Sequence, residues 1–598
     1  MSDSEQKGLS RRQFISAAGS ALGVAAAGAY VFNQMDFNKP PISNDTPMPP
    51  STFSVKHMES DVLVIGSGMA GLFAAVKAHD AGAKVTMVSK GRLGSSGLTP
   101  FAKGIFSYDK NTSNMSIDQF VAKVTESAIQ TNNPVFTRQL AEHSKARVEE
   151  LKEWGFFDSP LYNESFSRPI NERGIPLHQR IMITHLIKEN GRVVGASGFS
   201  LDKPNLIHFK AKTVVLCSGS GGFKPSGFPV CDLTHDGTIM AYKIGAKVTG
   251  KEWNDGHPGS AKNSGSSYDN WHGQVEEKPS ITGADIHHDL GVDINYQAYK
   301  IGPPITMGPP MGPPGKNSQQ QAQMAQAKGD PFVPAAFRQR SAPPPPQKEG
   351  GILALFSGKK PGGGPPPGMG GEQVGGSSAG MAIHKSEGLT PINEAGLSTI
   401  PGLYAAGDAL GSHMSGGIYA QIGSSLAGSA VQGAIAGEAA AQASKKISSV
   451  AISSSRLRDI EQEIFAPLKR KRGYSPAWVT QVLQGIMIPN FVLYIKKERL
   501  LQAALAYVEE LKEHHVPMLI ANDLHKLRLA HETENMIITA EMKLKASIMR
   551  KESRCSHYRL DYPKIDDKNW QAWINIYQDE KGDMAFEKQP FGTWASAT

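Results

Sequence analysis

Cysteine is scarce in this chain: three residues, Cys217, Cys231 and Cys555, in a length of 598, forming neither a CxxC pair nor a CxxCH site. That excludes a disulfide framework, a c-type haem attachment and an iron–sulfur cluster encoded by the chain itself. A comfortable membrane span is missing as well, because the alanine-rich apolar run near the N-terminus is too short. The basic residues, 63 against 55 acidic, read as scattered, with no Lys/Arg run carrying interleaved aromatics. Nucleic-acid binding is therefore excluded, although a net charge of +8 suits anionic substrates or acidic partners. No metal-ligand cluster is read.

What is abundant is glycine and proline, 62 and 39 residues, within an otherwise ordinary soluble composition of 39% hydrophobic and 20% charged residues. The length calls for roughly two to four domains. At the N-terminus, SRRQFISAAGSALGVAAAGAYVF places Arg11, Arg12 and Phe14 before a small-residue apolar run. This reads as a twin-arginine signal over residues 1–37, which predicts export to the periplasm or the outer face of the cytoplasmic membrane. A Pro/Asn-rich linker, residues 38–57, follows. Residues 301–370 hold 16 of the 39 prolines, in runs such as GPPMGPPG and PPPP, and read as an exposed linker or docking insertion.

The chemistry begins at SDVLVIGSGMAGLFAAVKAHDAGAKVTMVSK. The apolar run 61–65 predicts a buried parallel strand. Gly66, Gly68 and Gly71 form G-x-G-x-x-G, with Met69 and Ala70 opening a helix to about Ala81 and a second strand over 84–88. In that context the glycines give a tight turn, a close backbone approach to a pyrophosphate and close helix–strand packing, with the helix N-terminus facing the negative charge. Where an acidic ribose ligand usually ends the second strand, this chain has Ser89 and Lys90. Further on, a helix is predicted over 115–154 and a hairpin over 180–200 turning at Asn190-Gly191. The strand KAKTVVLCSGSGG ends in small residues around Gly219, a second backbone approach to a nucleotide. Cys217 there is read as a core residue rather than a nucleophile. Beyond about residue 455 the spacing is helical, closing in a short β-prone tail.

GSGMAGLFAAVKA, VVLCSGSGG, HDGTIMAYKIGAKVTGKEWNDGHPG, IPGLYAAGDALG and ESRCSHYRLDYPKIDDKNW occur in this order. Together they resemble the succinate dehydrogenase/fumarate reductase flavoprotein superfamily, which also includes L-aspartate oxidase and the adenylylsulfate reductase α subunit. The resemblance implies an α/β fold: a Rossmann-like FAD-binding domain split in sequence (58–256 and 376–450), an inserted α+β capping domain (257–375) and a helical C-terminal domain (451–598). It implies that Ser89, Lys90, Ser96, Thr99 and Gly104 adjoin the cofactor, and that Asp408, after Gly407, approaches the flavin's ribityl chain. Backbone N–H groups near Ser424, Ser425 and Leu426 would face the pyrimidine end of the ring, where side chains must be small. Leu98 stands where covalently flavinylated members have histidine, so FAD should be non-covalent.

The same resemblance makes His257, in GHPG, a substrate-binding histidine, with Gly259 in place of the usual threonine; His384 and His413 are further candidates. It also exposes an absence. Family members carry a carboxylate-binding arginine where this chain has Tyr419, Ala420 and Gln421, and no arginine occurs between Arg340 and Arg456. The nearest candidates for a proton-delivering arginine, Arg338 and Arg340, lie in the Pro-rich insertion. A helix expected between Arg173 and His178 has no residues to form it. The implied function is FAD-dependent hydride transfer to or from a C–C bond of an organic acid or other activated substrate, with fumarate itself disfavoured. Electrons would pass through an external quinone, cytochrome or iron–sulfur subunit, and a membrane-associated partner is among the candidates. Two alternatives stay open: a non-catalytic flavin electron carrier or partner-docking protein, and an adenylylsulfate-reductase-like flavoprotein.

Overall fold

The computed structural model describes residues 48–597 except 103, 112, 114, 159–161, 224–232, 254, 257–258, 261–275, 280–372, 375–381, 384–386, 412–413, 418–422, 489 and 494. The segment read as a signal, the Pro-rich segment and most of the segment read as a capping domain therefore lie outside the described residues.

A seven-stranded sheet organises the fold. Its strands are β1 (Ser54–Ile65), β2 (Val85–Ser89), β3 (Leu177–Gln179), β4 (Ile181–Glu189), β5 (Arg192–Ser200), β6 (Asn205–Leu216) and β7 (Leu403–Ala405). The parallel order is β3-β2-β1-β6, and β7 adds to the last three residues of β6, pairing Leu403 with Val214 and Ala405 with Leu216. The early half of β6 pairs antiparallel with β5, which pairs with β4. A strand more than 180 residues further along the chain thus completes the sheet begun by β1, as expected of a domain split in sequence. Val62, Leu63 and Val64 are fully buried, which explains why their run is continuously apolar rather than alternating.

Two helices cover the sheet at its glycine turn: α1 (Met69–Asp80) and α2 (Ser424–Lys445). They cross closely because α2 presents glycines four residues apart. A Cβ on Gly433 would lie 2.2 Å from the Ala70 carbonyl oxygen, and one on Gly437 2.3 Å from that of Ala74.

Three local expectations change. β1 begins at Ser54, inside the segment read as linker, because residues 54–57 pair with 205–208 on β6. The single helix over 115–154 is two helices, Ile117–Ser127 and Pro134–Glu153. The break follows from Asn133, whose side chain caps the second helix by accepting from the Val135 N–H, and from Pro134 at its first turn. Finally, the chain between Arg173 and His178 turns at Gly174 (φ +58) straight into β3. The hairpin is as read, with Asn190 and Gly191 both at positive φ, as a two-residue type I′ turn requires.

The C-terminal part is helical over Ser454–Lys469, Pro476–Met487, Glu498–Glu510 and α3 (Leu524–Met549). The tail hairpin, Ala572–Gln578 with Met584–Pro590, adds onto Val248–Thr249, which pairs with Gly388–Leu389. Those two short strands flank the inserted segment. Nearer to it, Asp255–Gly256 pairs antiparallel with Ala382–Ile383, and Gly259–Ser260 with Gln373–Val374, so outgoing and returning chain form one paired neck.

Candidate functional site

Four turns meet at the carboxyl edge of the parallel strands, where open α/β sheets bind their ligands. The first follows β1. Gly66 has φ +117, and a Cβ there would lie 2.1 Å from the Cys217 carbonyl oxygen; one on Gly71 would lie 2.0 Å from the Gly66 carbonyl oxygen. Only glycine fits either position. Gly68 is the N-cap of α1 without a capping side chain, and the Met69 N–H is met by the Thr99 hydroxyl at 3.2 Å. Met69 and Ala70 are buried.

The second turn follows β6, with Gly219 at φ +72. The Ser218 and Ser220 hydroxyls beside it are buried with no hydrogen-bond partner among the described residues. Buried polar atoms are ordinarily paired, so two orphaned hydroxyls at a strand end suit a polar ligand. The third follows β7. A Cβ on Gly407, at φ +65, would lie only 2.9 Å from that of Ala70, too close for a side chain; the Gly407 N–H is held by Gln432 at 3.1 Å, and Asp408 follows half-buried. The fourth is Gly423, at φ +80, the N-cap of α2, with Ser424 and Leu426 buried and Ser425 partly exposed. Gly104 opens a short strand whose backbone packs on Gly423. Two helix N-termini thus open where the sequence places the cofactor, each turning the positive end of its dipole there. A dinucleotide fits this cradle.

The other site residues divide. The Ser89 hydroxyl, at the end of β2, is hydrogen-bonded at 2.6 Å to that of Ser67 in the glycine turn, and both are buried. Ser96 is turned to the Arg92 carbonyl, at 2.9 Å in an exposed position. The Lys90 side chain points to protein groups. Its ammonium donates to Thr234 at 2.8 Å, Asp236 at 2.7 Å and Glu532 at 2.7 Å, which takes all three of its donors. The two carboxylates outweigh burial and hold its pKa above the usual lysine value, while Asp236 is held below the carboxylate range despite burial, chiefly by Lys90. Lys90 is a tie between the sheet and α3. Cys217 is buried, and burial pushes its thiol pKa up, which fits a core residue. His257, His384 and His413 lie outside the described residues, as do Tyr419, Ala420 and Gln421, so the structure does not place them.

Sequence reading missed a buried charge network at the foot of the neck. Glu387 holds His235 Nδ1 at 2.7 Å and the Lys251 ammonium at 2.7 Å, with all three side chains fully buried. His235 adopts φ +62, a conformation costly for a residue with a Cβ, and its ring fills the space left by Gly221. Glu252 pairs with Arg550, which shares Glu552 with Arg554. Two buried lysines then grip consecutive carbonyls. Lys543 donates to those of Lys251 (2.7 Å) and Trp253 (2.8 Å), and Lys496 to that of Glu252 and to His557 Nδ1 at 2.9 Å. Among the described residues neither has a carboxylate partner within ion-pair distance, so desolvation, the largest effect, lowers Lys543 to about 7 and Lys496 well below its ordinary value. The segment four residues before His257 is thereby fixed from the C-terminal domain. No sequence signal marks these partners, since Lys543 and Lys251 are 292 residues apart.

Comparison with known proteins agrees with this geometry. Residues 61–168 match the FAD binding domain family, and residues 480–595 the fumarate reductase flavoprotein C-terminal family. A fumarate reductase (CoM/CoB) subunit from Methanothermobacter marburgensis is 25% identical over 556 residues, covering 85% of this chain and 95% of the relative. The fumarate reductase flavoprotein subunit of Haemophilus influenzae is 23% identical over 458 residues, covering 72% of each. The structure of adenylylsulfate reductase from Archaeoglobus fulgidus superposes with a TM-score of 0.67 at 20% identity, covering 92% of this chain and 99% of that one, a likeness of fold. The glycine-turn cradle at the sheet edge and the sheet completed from a distant segment agree with these two matches: the chain is a FAD-binding protein similar to the flavoproteins of the succinate dehydrogenase/fumarate reductase superfamily.

Proposed function

We propose that this flavoprotein exchanges a hydride with a CH–CH bond of an unsaturated organic acid or similarly activated substrate other than fumarate. The observation that carries the reading is the convergence of four glycine-bearing turns and two helix N-termini on one sheet edge. FAD, when bound, supplies the two-electron chemistry. The turn at Gly66, Gly68 and Gly71, with the N–H groups opening α1, would hold the pyrophosphate, and Ser89 a ribose hydroxyl. Asp408 would accept from ribityl hydroxyls, and the N–H groups of Ser424, Ser425 and Leu426 would stabilise negative charge on the ring. Leu98 offers no nucleophile, so the cofactor stays unlinked.

His257 would orient the substrate, with His384 and His413 as further candidates. The neck network serves this role by holding residues 251–253 still, so that the chain enters the substrate side from a fixed point. With no arginine between Arg340 and Arg456, a bidentate clamp on a second carboxylate is missing from this stretch, which favours a substrate with fewer or differently placed carboxylates. Electrons would come from or go to a quinone, a cytochrome or an iron–sulfur subunit. Arg11 and Arg12 would direct export, and their double substitution by lysine should keep the protein in the cytoplasmic fraction.

The test is anaerobic reduction of the purified protein followed by titration with a panel of unsaturated acids. Reoxidation by one acid but not by fumarate supports the proposal. A reduced protein that discharges to none of them, while passing electrons to a redox partner, supports an electron carrier instead.

A further inference from the structure

Residues 474–495, YSPAWVTQVLQGIMIPNFVLYI, contain no charged side chain over 22 positions. They are bracketed by Lys469-Arg470-Lys471-Arg472 and by Lys496-Lys497. The basic residues are therefore not uniformly scattered, and this run does stand beside aromatics. The first half forms the helix Pro476–Met487, whose Val479, Leu483 and Met487 are buried in the C-terminal core.

Its outward face is the anomaly. Trp478 is 44% exposed, Gln481 and Gly485 are exposed, and Val482 and Ile486 are half-buried. A surface helix ordinarily carries its charges on that face, and this one has none. The Tyr474 ring stacks on Trp478 at 5.7 Å and lies 4.4 Å from His515, and the Tyr474 N–H donates to the carbonyl of Met518, itself 40% exposed. Lys469, Lys471 and Arg472 are exposed immediately before this cluster, whereas Arg470 turns inward to the Leu519 carbonyl. Acidic groups nearby are Glu510, which faces His514 at 3.7 Å, the exposed Glu513, and Glu534, which acts on Arg470 and is paired with Lys243 at 2.6 Å; Lys512 is engaged by Glu541.

We propose that this face rests on an anionic lipid surface, with Trp478, Tyr474 and Met518 at the headgroup–acyl boundary and Lys469, Lys471 and Arg472 on the phosphates. Tryptophan and tyrosine beside flanking cations, on an uncharged face, is the composition that boundary selects. A helix of 12 residues spans about 18 Å, too short to cross, so it lies along the surface. Charge complementarity selects this occupant: a second copy of the chain would bring a matching set of cations against the first.

The experiment is flotation of the full chain with phosphatidylcholine vesicles containing 30% phosphatidylglycerol, and with phosphatidylcholine alone. Because the N-terminal run is itself apolar, each comparison is made between variants in the same full-length background. The expected result is binding to the anionic vesicles that weakens in high salt and falls roughly tenfold or more in the Lys471→Glu/Arg472→Glu double variant. Brominated phosphatidylcholine in those vesicles should quench a tryptophan signal that disappears in Trp478→Phe. Equal flotation of the charge-reversed and native chains, no flotation of the native chain, or quenching unchanged by Trp478→Phe would overturn the proposal.

Discussion

Alanine at Gly66 would carry its Cβ to 2.1 Å from the Cys217 carbonyl oxygen on a backbone at φ +117, so strain and overlap act together. Gly66→Ala should cost about 2–4 kcal/mol of stability and most of the flavin retained through gel filtration. A yellow variant with the native urea midpoint would sink the assignment of the turn. Lys90 makes the opposite prediction. Lys90→Met strands Asp236 and Glu532, which are largely buried, and should lower stability by about 3–5 kcal/mol even in cofactor-free protein. Had Lys90 held the cofactor, the loss would appear in FAD affinity alone. The glycine turn was legible because its meaning is local, three residues apart between a strand and a helix. The true partners of Lys90 were not, since they stand between 144 and 442 residues away.

Among the elements, α3 carries a pH dependence. His531 on this helix is buried against the Ile464 carbonyl at 3.1 Å, and burial lowers its pKa to about 4. A group depressed in the folded state contributes stability that is present above its unfolded pKa of about 6.5 and lost as pH falls toward the folded value. Between pH 6.5 and 5 that loss is about 1.6 kcal/mol. Urea midpoints for His531→Leu should change correspondingly less over that interval, whatever their absolute level; a slope as steep as in the native chain would contradict the assignment. The helices and strands of the sheet were readable from periodicity and turn residues. The break at Asn133-Pro134 was signalled too, but it was overridden by the helical spacing on either side.

Over the whole molecule, the C-terminal domain does more than cover the sheet. It adds a strand onto Val248–Thr249, just before the inserted segment, and grips residues 251–253 with Lys496 and Lys543. Lys543→Met leaves two buried carbonyls unpaired and should cost about 2–5 kcal/mol while sparing flavin retention, because the glycine turn is untouched. Loss of flavin at unchanged stability would contradict that division. Fold and cofactor were legible in the sequence through ordered motifs, whereas the neck network became visible only once distant segments were brought together. The central claim, an unlinked FAD in a glycine-turn cradle, is tested most directly by the absorption spectrum of purified protein before and after acid precipitation. The account predicts a yellow protein that releases FAD into the supernatant. Colour retained in the pellet, or a colourless protein that FAD cannot reconstitute, would contradict it.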